Sequence, residues 1–298
     1  MWRAHIFNAV KPFGGFEPRN RKVAIVGIPM DFTSSYRAGS RFAPDAIREI
    51  SYSLELCSVY GECVVEEQGV DDLGNLIPIA GSAEATLKLV EDMARDVLSE
   101  GRKLIAIGGD HTVTVGLFAG VTKNCGSEPC LLVVDAHLDL REELAGRYSH
   151  ASAIRRILEV YAPPRVVWFG ARAFSKEELE YLERLGVEYL VVKSVDILKQ
   201  PSHWIEKTAQ YLAPCGFVYL SVDFDGFDPA YAPGVQTPEP IGIAPIHLLE
   251  LLRSLQAPIV SSDIVEISPP YDASGVTAAL GARMVVEIAM IMYKATKR

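Results

Sequence analysis

Residues 130–135 read Cys-Leu-Leu-Val-Val-Asp, and residues 103–109 read Lys-Leu-Ile-Ala-Ile-Gly-Gly. Both runs are apolar on successive positions, as strands buried on both faces are, and such strands belong to parallel sheets. Further short β-branched runs lie at residues 22–29, 165–170, 189–193, 217–223 and 258–266. Between the strands, apolar residues recur three and four apart, most clearly over residues 83–100, 152–161, 176–185, 245–255 and 276–293. Regular strand–helix alternation implies right-handed crossovers and a sheet covered on both sides. The expected fold is α/β, a three-layer α/β/α sandwich rather than a barrel.

Composition bounds the rest. The 298 residues contain no Pro/Ser-rich linker, low-complexity stretch or internal repeat, so one domain over residues 1–298 is expected. No apolar run approaches the roughly 18 residues of a membrane span; the most apolar, residues 284–292, is short and broken by Glu287. Residues 1–10 lack the hydrophobic segment and cleavage site of a signal peptide, which points to a cytoplasmic protein. A net charge of −9 disfavours a nucleic-acid partner and favours cationic small molecules. The five cysteines, Cys57, Cys63, Cys125, Cys130 and Cys215, form no Cys-x-x-Cys pair. Their odd number argues against a full disulfide framework, so most are expected as small core residues. A Cys57–Cys63 or Cys125–Cys130 bridge would belong mainly to a hyperthermophile's cytosol.

In a parallel sheet the ligand site lies beyond the carboxyl ends of the strands. Four strand ends carry dense chemistry. Gly108-Gly109-Asp110-His111 makes a sharp turn that presents His111, either to a ligand or as a helix cap. Asp135, His137 and Asp139 follow at period two, so an extended chain puts all three on one side. Buried carboxylates need a cation or a dense hydrogen-bond shell; the competing interpretation is a solvated polar loop. Asp223 and Asp225 repeat the device, while Asp228 before Pro229 has the look of a turn residue, and Phe224 and Phe227 of packing residues. Glu266 ends the last strand; Asp263, three residues earlier, has no evident place. Two histidines with four aspartates suit Mn²⁺ or Mg²⁺ better than zinc. Four carboxylates balance two divalent cations, spaced about 3.5–4 Å in such pairs. Two ions sharing a water lower its pKa from 15.7 toward roughly 7, the equipment of a hydrolase.

In order and spacing, the segments GGDHTVT, DAHLDLR, SVDFDGFDPAYAPG and DIVEISPPYD resemble the motifs of the ureohydrolases, the arginases and agmatinases. SSYRAGSRFAPDAIREI, leading into a first long helix, and GVTAALGARMVVEI near the C-terminus extend the likeness to nearly the whole chain. The resemblance implies an eight-stranded parallel sheet and two Mn²⁺ per chain. His111, Asp135, Asp139 and Asp223 would hold one ion; His137, Asp225 and the bridging Asp135 and Asp223 would hold the other. It implies a homotrimer or homohexamer. His150, in RYSHASAIRR, matches the family's mobile proton-relay histidine, with helix capping after Ser149 as the competitor. Glu266 matches the guanidinium-binding glutamate. His5, His203 and His247 match no motif.

The implied mechanism places the guanidino group on Glu266, orients the attacking water with Asp139 and protonates the departing amine from His150. The expected substrate is a small cationic guanidino compound, agmatine or an agmatine-like polyamine. Ala173 stands where arginases carry an aspartate for the α-amino group, and Arg147-Tyr148-Ser149 where they carry asparagine for the α-carboxylate. Arg147 could itself pair with a carboxylate, so arginase and guanidinobutyrase remain alternatives. Outside enzymes, the alternative is a metal-binding guanidino-compound sensor. Zinc deacetylases of related fold use one metal and fewer aspartates. Gln236 and Ile241 occupy expected glycine positions, and Ala151 follows His150 where glycine is common.

Overall fold

The computed structural model describes residues 2–9, 11–17 and 19–294. Its strands are β1 (Ile6–Phe7), β2 (Val23–Gly27), β3 (Asp71–Leu76), β4 (Lys103–Ile107), β5 (Cys130–Val134), β6 (Arg165–Ala171), β7 (Glu188–Lys193), β8 (Val218–Asp223) and β9 (Ile259–Val265). The first helices are α1 (Ala43–Ser51), α2 (Val64–Gln68), α3 (Ala83–Ser99), α4 (Val113–Cys125) and α5 (Ala153–Leu158). They are followed by α6 (Lys176–Leu182), α7 (Ser194–Lys199), α8 (Pro201–Leu212), α9 (Pro245–Ser254) and α10 (Val276–Lys294).

One sheet carries all nine strands in the order β1-β3-β2-β4-β9-β8-β5-β6-β7. β2 through β9 run parallel, as expected of eight strands, and the two-residue β1 adds an antiparallel edge against β3. The pleat divides the apolar side chains between two layers. Cys130, Leu132 and Val134 of β5 pack with α1, α2 and α7 to α10, while Leu131 and Val133 pack with α3 to α6. Burial on both faces therefore produces the unbroken apolar runs of the sequence. β4, β9, β8 and β5 are adjacent in the sheet, so four motifs spread over 155 residues end side by side.

Two elements escape the apolar pattern. β3 reads Asp-Asp-Leu-Gly-Asn-Leu, with Asp72 turned inward to a buried ion pair with Arg48 (Nε to Oδ2 2.7 Å). α4 contains Gly116 and Gly120, where a side chain would lie 2.6 Å from the carbonyls of Leu87 and Glu91 on α3. These glycines weaken the helix locally but let the two helices touch. α10 is long and apolar enough for a membrane span by composition alone, yet it is mostly buried within the fold. Its Glu287 accepts hydrogen bonds from Ser58 Oγ (2.7 Å) and the Val59 N–H (2.8 Å).

The cysteines correct an expectation. Cys57 does bond Cys63, but Cys130 bonds Cys215, and Cys125 is free and exposed. The pleat explains it: Cys130 faces the layer that holds Cys215, just past α8, whereas Cys125 ends α4 in the opposite layer.

Candidate metal centre and active site

The period-two aspartates act differently from the extended-strand expectation. Asp135 Oδ1 accepts the His137 N–H (2.6 Å), and Asp223 Oδ1 accepts the Asp225 N–H (2.8 Å). Each first aspartate thus uses one oxygen to turn the chain out of its strand, an Asx turn. The other oxygen points into the cluster. His111 Nδ1 lies 2.7 Å from Asp139 Oδ2, 3.2 Å from Asp223 Oδ2 and 3.3 Å from Asp135 Oδ2. His137 Nδ1 lies 3.1 Å from Asp225 Oδ2 and 3.5 Å from Asp135 Oδ1. Five of the six residues form two overlapping groups, His111/Asp135/Asp223 and Asp135/His137/Asp225, each able to hold an ion. Asp139 stands at the first.

The donor set fits divalent cations. His111 Nδ1 and Asp135 Oδ2 are buried without a hydrogen-bond partner. Burial and the facing Asp225 and Asp135 push Asp223 well above the carboxylate range. Burial and Asp135 push Asp139 up to about 7. Burial opposes charge on His111 and His137, but the carboxylates around them outweigh it and raise both. Crowded carboxylates of this kind require positive charge among them. Beneath the cluster, His111 Nε2 meets Ser221 Oγ (2.9 Å), which donates to Asp263 Oδ1 (2.6 Å). Thr114 and Tyr219 hydroxyls donate to the other oxygen of Asp263, so this residue, unplaced by sequence, fixes the His111 ring.

A cavity of about 240 Å³ opens over the cluster, lined in part by His137, Asp139, His150, Asp223 and Asp225. The ring of His150 caps no helix. Its Nε2 lies 3.1 Å from the Ser35 N and 2.7 Å from Ser35 Oγ, and its Nδ1 lies 3.3 Å from Glu266 Oε1. Burial opposes its charge, but Glu266 prevails and lifts its pKa to about 9. Glu266 is 1% exposed and sits under the floor rather than on the wall. Its Oε1 accepts the His111 N–H (2.7 Å), while Oε2 is buried without a partner. Asp139 and Glu266 both have positive φ, +54° and +68°, a strain of about 1–3 kcal/mol each that clusters at functional sites.

Other wall residues were not singled out by sequence. Thr237 donates to Asp225 Oδ2 (2.9 Å), and Glu239 lies 4.0 Å from His137 Nε2. Arg141 lines the cavity with no hydrogen bond or ion pair from its guanidinium among the described residues. Arg147, by contrast, is exposed and pairs with Glu159. Asp228 is a turn residue as expected, accepting the N–H groups of Ala230 (2.9 Å) and Gly242 (2.8 Å). Phe224 and Phe227 are buried against each other.

The family model described as "Arginase family" matches residues 21–291. The chain belongs to the arginase family. It is 33% identical over 283 residues to an agmatinase of Bacillus anthracis, covering 94% of each chain. It is 31% identical to a guanidinobutyrase of Pseudomonas aeruginosa, covering 92% of this chain and 88% of that one. The crystal structure of an agmatine ureohydrolase of Thermoplasma volcanium superposes with a TM-score of 0.82 at 35% identity, covering 98% and 95%. An arginase-family chain with these relatives is a hydrolase of guanidino carbon–nitrogen bonds. Ile241, which stands where the resemblance expects glycine, takes φ +66°, a left-handed conformation that favours glycine.

Proposed function

We propose that this chain is a binuclear manganese hydrolase that releases urea from agmatine, or from a longer agmatine-like polyamine, leaving putrescine or the corresponding amine. Glu266 carries the reading: a buried carboxylate beside the His/Asp cluster with one oxygen unpartnered. Guanidinium is the ligand whose N–H groups satisfy such an acceptor with charge and geometry together. Substrate reaching Glu266 has to displace its contact with His150.

In this reading His111, Asp135, Asp139 and Asp223 would hold one ion, and His137 and Asp225, with Asp135 and Asp223 shared, would hold the other. The bound pair supplies Lewis acidity that brings a water's pKa toward roughly 7. Asp139 accepts a hydrogen bond from the attacking water and aims it. Glu266 holds the guanidino carbon in line. As the bond to the alkyl nitrogen breaks, His150 gives that nitrogen a proton, with its ring steadied by Ser35. Glu239, on the wall and with no arginine or lysine on its carboxylate among the described residues, suits the distal ammonium of agmatine. A single ureohydrolase domain over residues 1–298, a cytoplasmic location and a homotrimer or homohexamer belong to the same proposal, supported by the one continuous sheet, the acidic composition and the family resemblance.

Arg141 favours one second reading, an ω-guanidino acid whose carboxylate it would pair. Urea release measured with agmatine, aminopropylagmatine, 4-guanidinobutyrate and arginine separates them. The highest kcat/KM is expected for agmatine or aminopropylagmatine; a value for arginine equal to agmatine's overturns the assignment.

A further inference from the structure

One side chain near the site touches no ligand-type atom yet holds the segments that carry several of them. Arg172 follows the end of β6, where the register of pairing with β7 shifts between Phe169 and Ala171. Its half-buried guanidinium donates only to main-chain carbonyls. Nη2 reaches Asp225 O (2.6 Å), Glu239 O (2.7 Å) and Phe227 O (3.2 Å). Nη1 reaches Gly226 O (3.0 Å) and Gly170 O (3.1 Å), and Nε reaches Pro240 O (3.1 Å) and Glu239 O (3.3 Å). The backbone N–H groups of Arg172 and Ala173 both donate to Ala136 O, at 2.8 and 2.9 Å. Ala136 lies between Asp135 and His137, and its own N–H donates to Asp225 Oδ1 (3.2 Å).

These bonds converge on one half of the cluster. Asp225 is held through its own carbonyl by Arg172, through Oδ1 by Ala136 and through Oδ2 by Thr237, two residues before the clamped Glu239. His137 follows the clamped Ala136. The other half is braced elsewhere, His111 through Ser221 and Asp263. A planar fork of five N–H donors can span three segments at once, whereas a lysine ammonium offers three donors from one point.

We propose that Arg172 is a positioning residue for the second ion alone: it locks the 225–227 and 239–240 segments so that Asp225 and His137 meet at that ion. The proposal rests on the binuclear reading above. Groups that orient ligands typically change metal affinity 10- to 100-fold when altered.

The test is a Mn²⁺ titration of metal-stripped wild type, Arg172→Lys, Arg172→Gln and His137→Asn, read by calorimetry and by the EPR signal of free Mn²⁺. Thermal unfolding of each metal-stripped chain is followed in parallel. Wild type is expected to bind two ions. In Arg172→Lys one ion, the same one that His137→Asn weakens, should lose at least tenfold while the other stays within about threefold of wild type, with a larger loss in Arg172→Gln. The kcat lost at low Mn²⁺ should return at high Mn²⁺ with KM for the guanidino substrate unchanged. Two ions bound with wild-type affinities in Arg172→Lys overturn the proposal. Parallel loss of both ions, or loss of the fold, makes Arg172 a general stability residue and overturns it equally. A wild type binding one ion instead refutes the binuclear reading, and the role of Arg172 falls with it.

Discussion

Glu266→Gln isolates the interaction on which the substrate reading depends. The substitution keeps the shape and the unusual φ of +68°, and glutamine still offers Oε1 to the His111 N–H. It replaces the unpartnered Oε2 with an NH2 group that faces guanidinium as donor against donor. Removing one member of a buried, hydrogen-bonded charge pair costs about 2–5 kcal/mol. The contact at Glu266 involves one free oxygen, so about 3–4 kcal/mol is expected, or two to three decades in kcat/KM at roughly 1.4 kcal/mol per decade. The metal content should not change, because Glu266 meets the cluster only through a main-chain N–H and the His150 ring. The assay is colorimetric urea release over a range of agmatine concentrations, with Mn²⁺ per chain measured on the same preparation. A loss smaller than tenfold, or a loss explained by missing metal, would refute the assignment of Glu266 to guanidinium.

Asp223→Ala removes a carboxylate of the first ion group that the proposed reading shares with the second ion; metal analysis should find both Mn²⁺ ions lost and turnover abolished, and a single tightly held zinc untouched by the change would contradict the binuclear reading. His150→Ala should lower kcat far more than metal occupancy, with partial recovery on adding imidazole. Because His150 is raised from 6.5 to about 9, its acid form persists through neutrality. The kcat/KM profile of wild type, which reports the free enzyme, should therefore fall as pH rises through about 9, and the contribution of the His150–Glu266 contact to stability, full below 6.5, should fade over the same rise. Arg141→Ala should leave kcat/KM for agmatine within about threefold and Glu239→Gln should lower it about tenfold, the size of one charge-assisted contact; the reverse pattern, with guanidinobutyrate as the better substrate, selects the guanidino-acid reading. Arg48→Met strands the buried Asp72 carboxylate, and denaturant unfolding should show a loss of about 3–5 kcal/mol.

The residues of the cluster could be read from the sequence because their chemistry and spacing are local. Three ligand-type residues directly after a fully apolar strand have no structural excuse, and the parallel sheet places strand ends together. The turn that brings them inward was not legible. Asp135 and Asp223 spend one oxygen each on the backbone two residues on, which spacing alone cannot distinguish from an extended strand. β3 was hidden because an inward aspartate and a glycine interrupt its apolar character, and α4 because its glycines serve a contact with α3.

Sequence by itself determined the sandwich, seven of its eight parallel strands and the six residues that converge above them. It could do so because burial on both faces writes continuous apolar runs, and because buried carboxylates demand cations whatever surrounds them. Tertiary structure alone decided which side chains support that cluster. Ser35 at His150, Ser221 and Asp263 behind His111, Arg172 around Asp225, and Cys215 at Cys130 join points far apart in the chain. Each partner is an ordinary polar or small residue with no local pattern. Its role arises from strand order and the face on which the pleat turns it.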